Sequence, residues 1–104
     1  MIIYVDIDET ICRYDGPRHY PHALPIREHI AKVNELYNEG HTIVYWTARG
    51  SKTKIDWTEL TKKQLVEWGA KHHDLMLGKP HYDLYIDDKS INTNDYFNRE
   101  GDLK

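Results

Sequence analysis

Residues 2–5 (IIYV) and 42–46 (TIVYW) are short runs of β-branched and aromatic side chains, and each reads as a strand buried on both faces. The chain between them rules out a hairpin. From Ile26 it carries a helical pattern, with Ile30, Val33, Leu36 and Tyr37 on one face, Pro25 near the start and Gly40 as the stop. Strands joined through a helix pair in parallel, so the chain is predicted to fold as an α/β domain with a mostly parallel sheet.

The alternation continues. A second helix is predicted over residues 56–68, where Trp57, Leu60, Thr61, Leu65 and Trp68 recur at helical spacing and Gly69 follows. Residues 74–77 (DLML) and 83–86 (DLYI) read as two further strands, and a short helix is predicted near residues 95–99. Residues 11–25, with three prolines and a glycine, read as a loop or flap lying over something.

Each predicted strand runs into polar residues: Asp6 and Asp8, then Thr47 and Arg49, then Lys79, then Asp87 and Asp88. Ligands of parallel sheets bind beyond the carboxyl ends of the strands, so these groups are expected to converge on one rim. Asp6 and Asp8, two residues apart on an extended segment, face the same side. Together with Asp87 and Asp88 they would repel one another unless a hard cation intervened, and oxygen ligands from few residues suit Mg²⁺. Thr47 and Lys79 are suited to holding an anionic group opposite such a metal.

The 104 residues allow one domain, at 39% hydrophobic and 30% charged composition without low-complexity tracts. A formal net charge of −3 provides no general attraction to nucleic acid or to an anionic membrane. No apolar run approaches the roughly 18–20 residues that span a bilayer. The single cysteine, Cys12, has no partner for an internal disulfide, and the expected location is cytoplasmic.

"DIDET" resembles the DxDxT first motif of the haloacid dehalogenase superfamily of phosphohydrolases. "YWTARG" resembles its second motif, Lys79 fits the third, and "LYIDDKSIN" fits the acidic fourth. All four stand in family order over nearly the whole chain. The resemblance implies a Rossmann-like three-layer α/β/α fold. It implies Asp6 as nucleophile, forming an aspartyl-phosphate, and Asp8 as the acid and base that serves the leaving oxygen and the attacking water. Thr47, Ala48 and Lys79 would grip phosphoryl oxygens. Mg²⁺ would be held by the Asp6 carboxylate, the Asp8 carbonyl and a fourth-motif aspartate. Overlaid on the family pattern, Asp88 takes the direct ligand position, with Asp87 behind it and Asn92 at the later polar position. The dehalogenase branch lacks an aspartate two residues after the nucleophile, so Asp8 points to phosphoryl transfer.

The chain has no room for a cap domain and resembles the capless subclass, whose members often close the site by oligomerisation or with a large substrate. Homo-oligomerisation is therefore among the expectations, beside a small phosphorylated substrate and no membrane partner. "GHTIVYWTARG" resembles small phosphatase-like proteins of surface-polysaccharide clusters, which suggests a sugar phosphate. The "IDDK" element and the helix after Arg49 are also similar to nucleotidases and polynucleotide-end phosphatases. A catalytically idle phosphate- or metal-binding module of a larger assembly is the reading from a different class.

Other residues are weighed against plain structural roles. Arg49 is equally suited to contacting substrate and to pairing with a surface carboxylate. Arg13, Arg18, His19 and His22, on the flap, are as a group the candidates for leaving-group recognition. The seven histidines show no zinc-type spacing, and nothing near Cys12 marks an activated thiol. Gly78–Lys79 is no P-loop, since Pro80 stands where Ser or Thr is needed.

Overall fold

The computed structural model describes residues 1–98. Its elements are strands β1 (Ile2–Val5), β2 (Cys12–Arg13) and β3 (Leu24–Pro25), helix α1 (Arg27–Asn38), strand β4 (Thr42–Trp46), helix α2 (Thr58–Glu67), strand β5 (Asp74–Met76) and helix α3 (Thr93–Asn98). Arg99, at the end of the last predicted helix, lies outside the described residues.

The main sheet has the order β1-β4-β5, and both pairings are parallel. β1 aligns with β4 from Ile2 opposite Thr42 to Val5 opposite Tyr45. β4 aligns with β5 from Val44 opposite Asp74 to Trp46 opposite Met76. α1 ends as its pattern predicts. Gly40, at φ 101°, adopts the left-handed conformation that closes the helix, and the His41 amide reaches back to the Leu36 carbonyl at 3.1 Å.

Alternation along β1 and β4 sends Ile3, Val5, Ile43 and Tyr45 to one side of the sheet. There they pack with Ile30, Val33 and Leu36 of α1 and with Leu65 of α2. The helices thus cover one face. The strand order progresses in one direction along the sheet, and right-handed crossovers then place successive helices on the same side. Among the described residues the helices pack on this one face; on the opposite face Val44 is buried at the centre of the sheet while Ile2 and Tyr4 of β1 are 72% and 54% exposed. β1 is an edge strand buried on one face, while β4 at the centre is the strand buried along its middle.

A correction concerns residues 83–86. They form no strand, and Leu84 and Ile86 are 75% and 88% exposed. The flap is more ordered than expected. β2 and β3 pair antiparallel, with Cys12 opposite Pro25, and a 3₁₀ turn at Tyr20–His22 lies between them.

Ile43 is fully buried at the centre of this core. Ile43→Ala is expected to cost about 2–5 kcal/mol of unfolding free energy, whereas Val66→Ala, on the exposed side of α2, should stay within about 0.5 kcal/mol. Urea titrations of both variants check the pair, and equal losses would place the core elsewhere.

Candidate functional site

β1 delivers Asp6 and Asp8 to the carboxyl rim, with Ile7 between them fully buried in the core. A tight turn follows at once. The amides of Thr10 and Ile11 both bond the Ile7 carbonyl, at 3.1 and 2.9 Å, and Glu9 takes a left-handed φ of 64°. This turn swings Cys12 and Tyr14 back over the Asp8 carboxylate. The Tyr14 hydroxyl donates to Asp8 Oδ1 at 2.5 Å, and the Cys12 thiol approaches the same oxygen at 3.4 Å.

Arg49 meets Asp8 from the other side. Its Nε donates to Oδ2 at 3.0 Å and its Nη2 to Oδ1 at 2.9 Å, a two-point pairing that only a guanidinium can make. The remaining donor nitrogen, Nη1, bonds Thr61 Oγ1 at 3.1 Å and Gln64 Oε1 at 2.6 Å, both on α2. The Tyr20 ring lies 4.8 Å from the guanidinium carbon. Arg49 is 2% exposed. Of the two roles weighed for Arg49, substrate contact and pairing with a carboxylate, the fold shows the pairing, made with the buried Asp8 rather than with a surface carboxylate.

Burial alone would raise the Asp8 pKa, but the Arg49 hydrogen bonds and charge outweigh it, with help from Tyr14 and Cys12. Asp8 is therefore held below the usual carboxylate value of 3.8. Asp6 behaves oppositely. Burial raises its carboxyl above 3.8, and the nearby Lys79 charge offsets only part of that.

Asp6 faces a cleft of about 250 Å³ together with Arg18, Ala48, Lys79, Pro80, His81 and Tyr82. Lys79 Nζ stands 3.8 Å from Asp6 Oδ1 and 5.6 Å from the Trp46 ring centre. Lys79 is placed by its backbone, whose amide donates to the Thr47 carbonyl at 3.1 Å, and by Ser51 Oγ, which donates to the Lys79 carbonyl at 2.6 Å. Thr47 is 1% exposed and its hydroxyl accepts the Arg49 amide at 3.1 Å, so it stabilises the loop rather than lining the cleft. Gly50 is obligatory in that loop. Its φ is 81°, and a Cβ there would lie 2.1 Å from the Ile55 carbonyl oxygen.

The fold thus brings Asp6, Ala48 and Lys79 to one cleft and locks Asp8 to Arg49 beside it. Asp87 and Asp88 do not join them. Both are exposed, following the unpaired residues 83–86, and Asp87 Oδ2 accepts only the Lys89 amide, at 3.3 Å. Among the described residues no group of three or more His, Cys, Asp or Glu side chains is close enough to hold a metal ion. The ligand set that the resemblance implies for Mg²⁺ needs two such side chains and a backbone carbonyl; of its members, Asp6 and Asp8 stand together at the rim, while Asp87 and Asp88 lie exposed beyond residues 83–86.

Of the flap residues, Arg18 lines the cleft, while Arg13 pairs with Asp15 in solvent and the His19 and His22 rings pack edge to face at 4.7 Å. Cys12 is buried and its thiol pKa is pushed up to about 12, as its packing role demands. Tyr14 and Gln64 are the contributors that the sequence reading passed over. Gln64 had a signal: with Thr61 it puts two polar side chains on the buried stripe of α2. No helix among the described residues is long and apolar enough to cross a membrane.

Removing Arg49 leaves a buried carboxylate unpaired. Arg49→Ala is expected to cost about 3–5 kcal/mol at neutral pH. In the wild type the Asp8 pKa is lowered, so its stabilisation is present above the unfolded value of 3.8 and fades as pH falls toward the folded value. In the variant, burial acts unopposed and Asp8 takes up a proton more readily. The penalty should shrink steadily between neutral pH and about pH 3. Denaturant unfolding across that range checks it, and a penalty independent of pH would refute the assigned pairing.

No family model and no curated protein matches the chain. The chain is similar in fold to a structural-genomics target from Vibrio cholerae known from a crystal structure. The TM-score is 0.83 at 24% sequence identity, over 96% of this chain and 90% of that one.

Proposed function

We propose that the chain is a phosphomonoester hydrolase of the haloacid dehalogenase type, with the Rossmann-like core that this implies and Asp6 as nucleophile. The observation that carries the reading is the Asp6 cleft. A partly buried carboxylate is flanked there by two cations, Lys79 and Arg18, at the carboxyl rim of a parallel sheet. A phosphate dianion entering it meets net positive charge with a nucleophilic oxygen at the centre.

In the first step an Asp6 carboxylate oxygen bonds to phosphorus, and the bond from phosphorus to the ester oxygen breaks. Lys79 and Arg18 hold the equatorial oxygens, and the departing alkoxide takes up a proton. In the second step water attacks the aspartyl-phosphate, releasing inorganic phosphate and restoring the Asp6 carboxylate. Asp8, ionised by Arg49, is a proton acceptor for that water. To give the alkoxide its proton in the first step Asp8 must loosen from Arg49 and first take up a proton, from solvent or from the water of the preceding turnover, and the flap residues Tyr14 and Cys12 are the contacts that change when it does. The substrate class suggested by the resemblance is a sugar phosphate of surface-polysaccharide synthesis.

One observation favours a second reading, a phosphate-binding module without turnover: Asp8 is saturated by donors and 8% exposed at its side chain. A panel of phosphate monoesters, assayed with Mg²⁺ and with chelator, separates the two. The hydrolase reading expects turnover in the wild type and loss of at least about 10³-fold in Asp6→Asn. Because the Asp6 pKa is raised, its charged form opposes folding at neutral pH, so Asp6→Asn should unfold at the same temperature as the wild type or a higher one. Turnover retained in that variant would eliminate Asp6 as nucleophile, and phosphate binding without any hydrolysis would establish the second reading.

A further inference from the structure

Among the described residues β1 is hydrogen-bonded on one side only, to β4, and its other edge is open. Within the same chain, residues 83–86 have the composition of a buried strand and lie unpaired in solvent, with Leu84 75%, Tyr85 45% and Ile86 88% exposed. An open parallel edge and an idle strand-like segment in one molecule are a liability unless they meet.

They cannot meet in parallel within one chain. Lys79 is anchored at the carboxyl rim, its amide on Thr47 and its ammonium beside Asp6. For residues 83–86 to run parallel to β1, Asp83 must start near the level of Ile2 or Ile3, roughly 13 Å back along the strand direction. It must also lie on the far side of β1, two strand spacings from β4, or roughly 10 Å. The separation is then at least roughly 16 Å, whereas the four Cα steps from Lys79 to Asp83 reach about 14 Å when fully extended. The direct path also passes through β1.

We infer that two copies of this chain exchange these segments, residues 83–86 of each pairing in parallel with the open β1 edge of the other. A second copy removes the tether constraint, because its β1 can present its amino end to the residues after Lys79. Two-fold symmetry then satisfies both edges. Residues 88–92 return the chain to its own body, since five Cα steps reach about 17 Å before Thr93, whose hydroxyl bonds Thr10 at 2.7 Å. Met1, Ile2 and Tyr4 at β1 and Leu84, Tyr85 and Ile86 on the idle segment are all large apolar or aromatic side chains left 45–88% exposed, and the exchange brings the two sets together.

Parallel pairing carries a consequence for the site. The partner's Asp87 and the partner's Asp88 arrive at the rim where β1 ends, beside Asp6, and add their carboxylates to the Asp6 cleft. This last step rests on the hydrolase reading; the strand exchange does not.

Light scattering on the full chain during size-exclusion chromatography should give twice the 12.4 kDa chain mass. Leu84→Asp with Ile86→Asp should give a monomer with unchanged circular dichroism, since neither side chain belongs to the core. Hydrogen exchange should show the amides of residues 83–86 protected in the wild type and unprotected in that variant. A wild-type monomer overturns the exchange, and protected amides in such a monomer would mean pairing within the chain. A dimer that survives both substitutions overturns it too.

The catalytic consequence has its own measurement. Asp6→Asn and Asp88→Asn, each inactive alone, should recover about a quarter of wild-type turnover when unfolded and refolded together in equal amounts, because half the dimers are mixed and each mixed dimer has one intact site. No recovery from a mixture whose wild-type parent is an active, Ile86-dependent dimer overturns the shared site. An Ile86-dependent dimer with no hydrolysis in the wild type leaves the strand exchange standing and removes the hydrolase reading.

Discussion

The buried pairing of Arg49 with Asp8 is the contact on which the rest of the rim depends. It joins the end of β1 to the loop after β4, and through Thr61 and Gln64 it ties both to α2. Desolvating two charges is expensive, and the pair is tolerated because each guanidinium nitrogen and both carboxylate oxygens are hydrogen-bonded. The energetic effect is asymmetric: the intact pair adds little net stability, while either partner alone is strongly destabilising. The loop carrying Thr47, Ala48 and Gly50 therefore has one arrangement, and the Asp6 cleft inherits its shape.

Two neighbouring carboxylates are thereby pushed in opposite directions. Asp8 is ionised by a permanent cation; Asp6 is disfavoured as an anion by burial and only partly relieved by Lys79. Pairs of titratable groups separated in this way are a recurrent sign of divided chemical roles.

Much of the fold was legible because it depends on periodicity. α1, α2, β1, β4 and β5 lie where the apolar patterns of Ile30–Val33–Leu36, Leu65–Trp68 and TIVYW require. The convergence of Asp6 and Lys79 followed from strand ends sharing a rim. What escaped the sequence is relational. Residues 83–86 carry the same chemistry as the true strands, and no local pattern reveals that the tether from Lys79 is too short for the neighbouring edge. The inward turn of Arg49 was equally hidden, since it depends on Tyr14, Tyr20, Thr61 and Gln64 arriving from distant parts of the chain. Which side of the sheet the helices cover was likewise not legible, because strand order, not composition, decides it.

Cys12 has a use unrelated to the reaction. Its thiol is buried on the inner side of the flap, and burial together with the Asp8 charge keeps it protonated, so an alkylating reagent finds neither access nor thiolate in the folded chain. With no other cysteine in the chain to confuse the signal, its labelling rate measures how often the flap lifts. The same opening would also break the Cys12 and Tyr14 contacts to Asp8, so one thiol reports on the packing around that carboxylate.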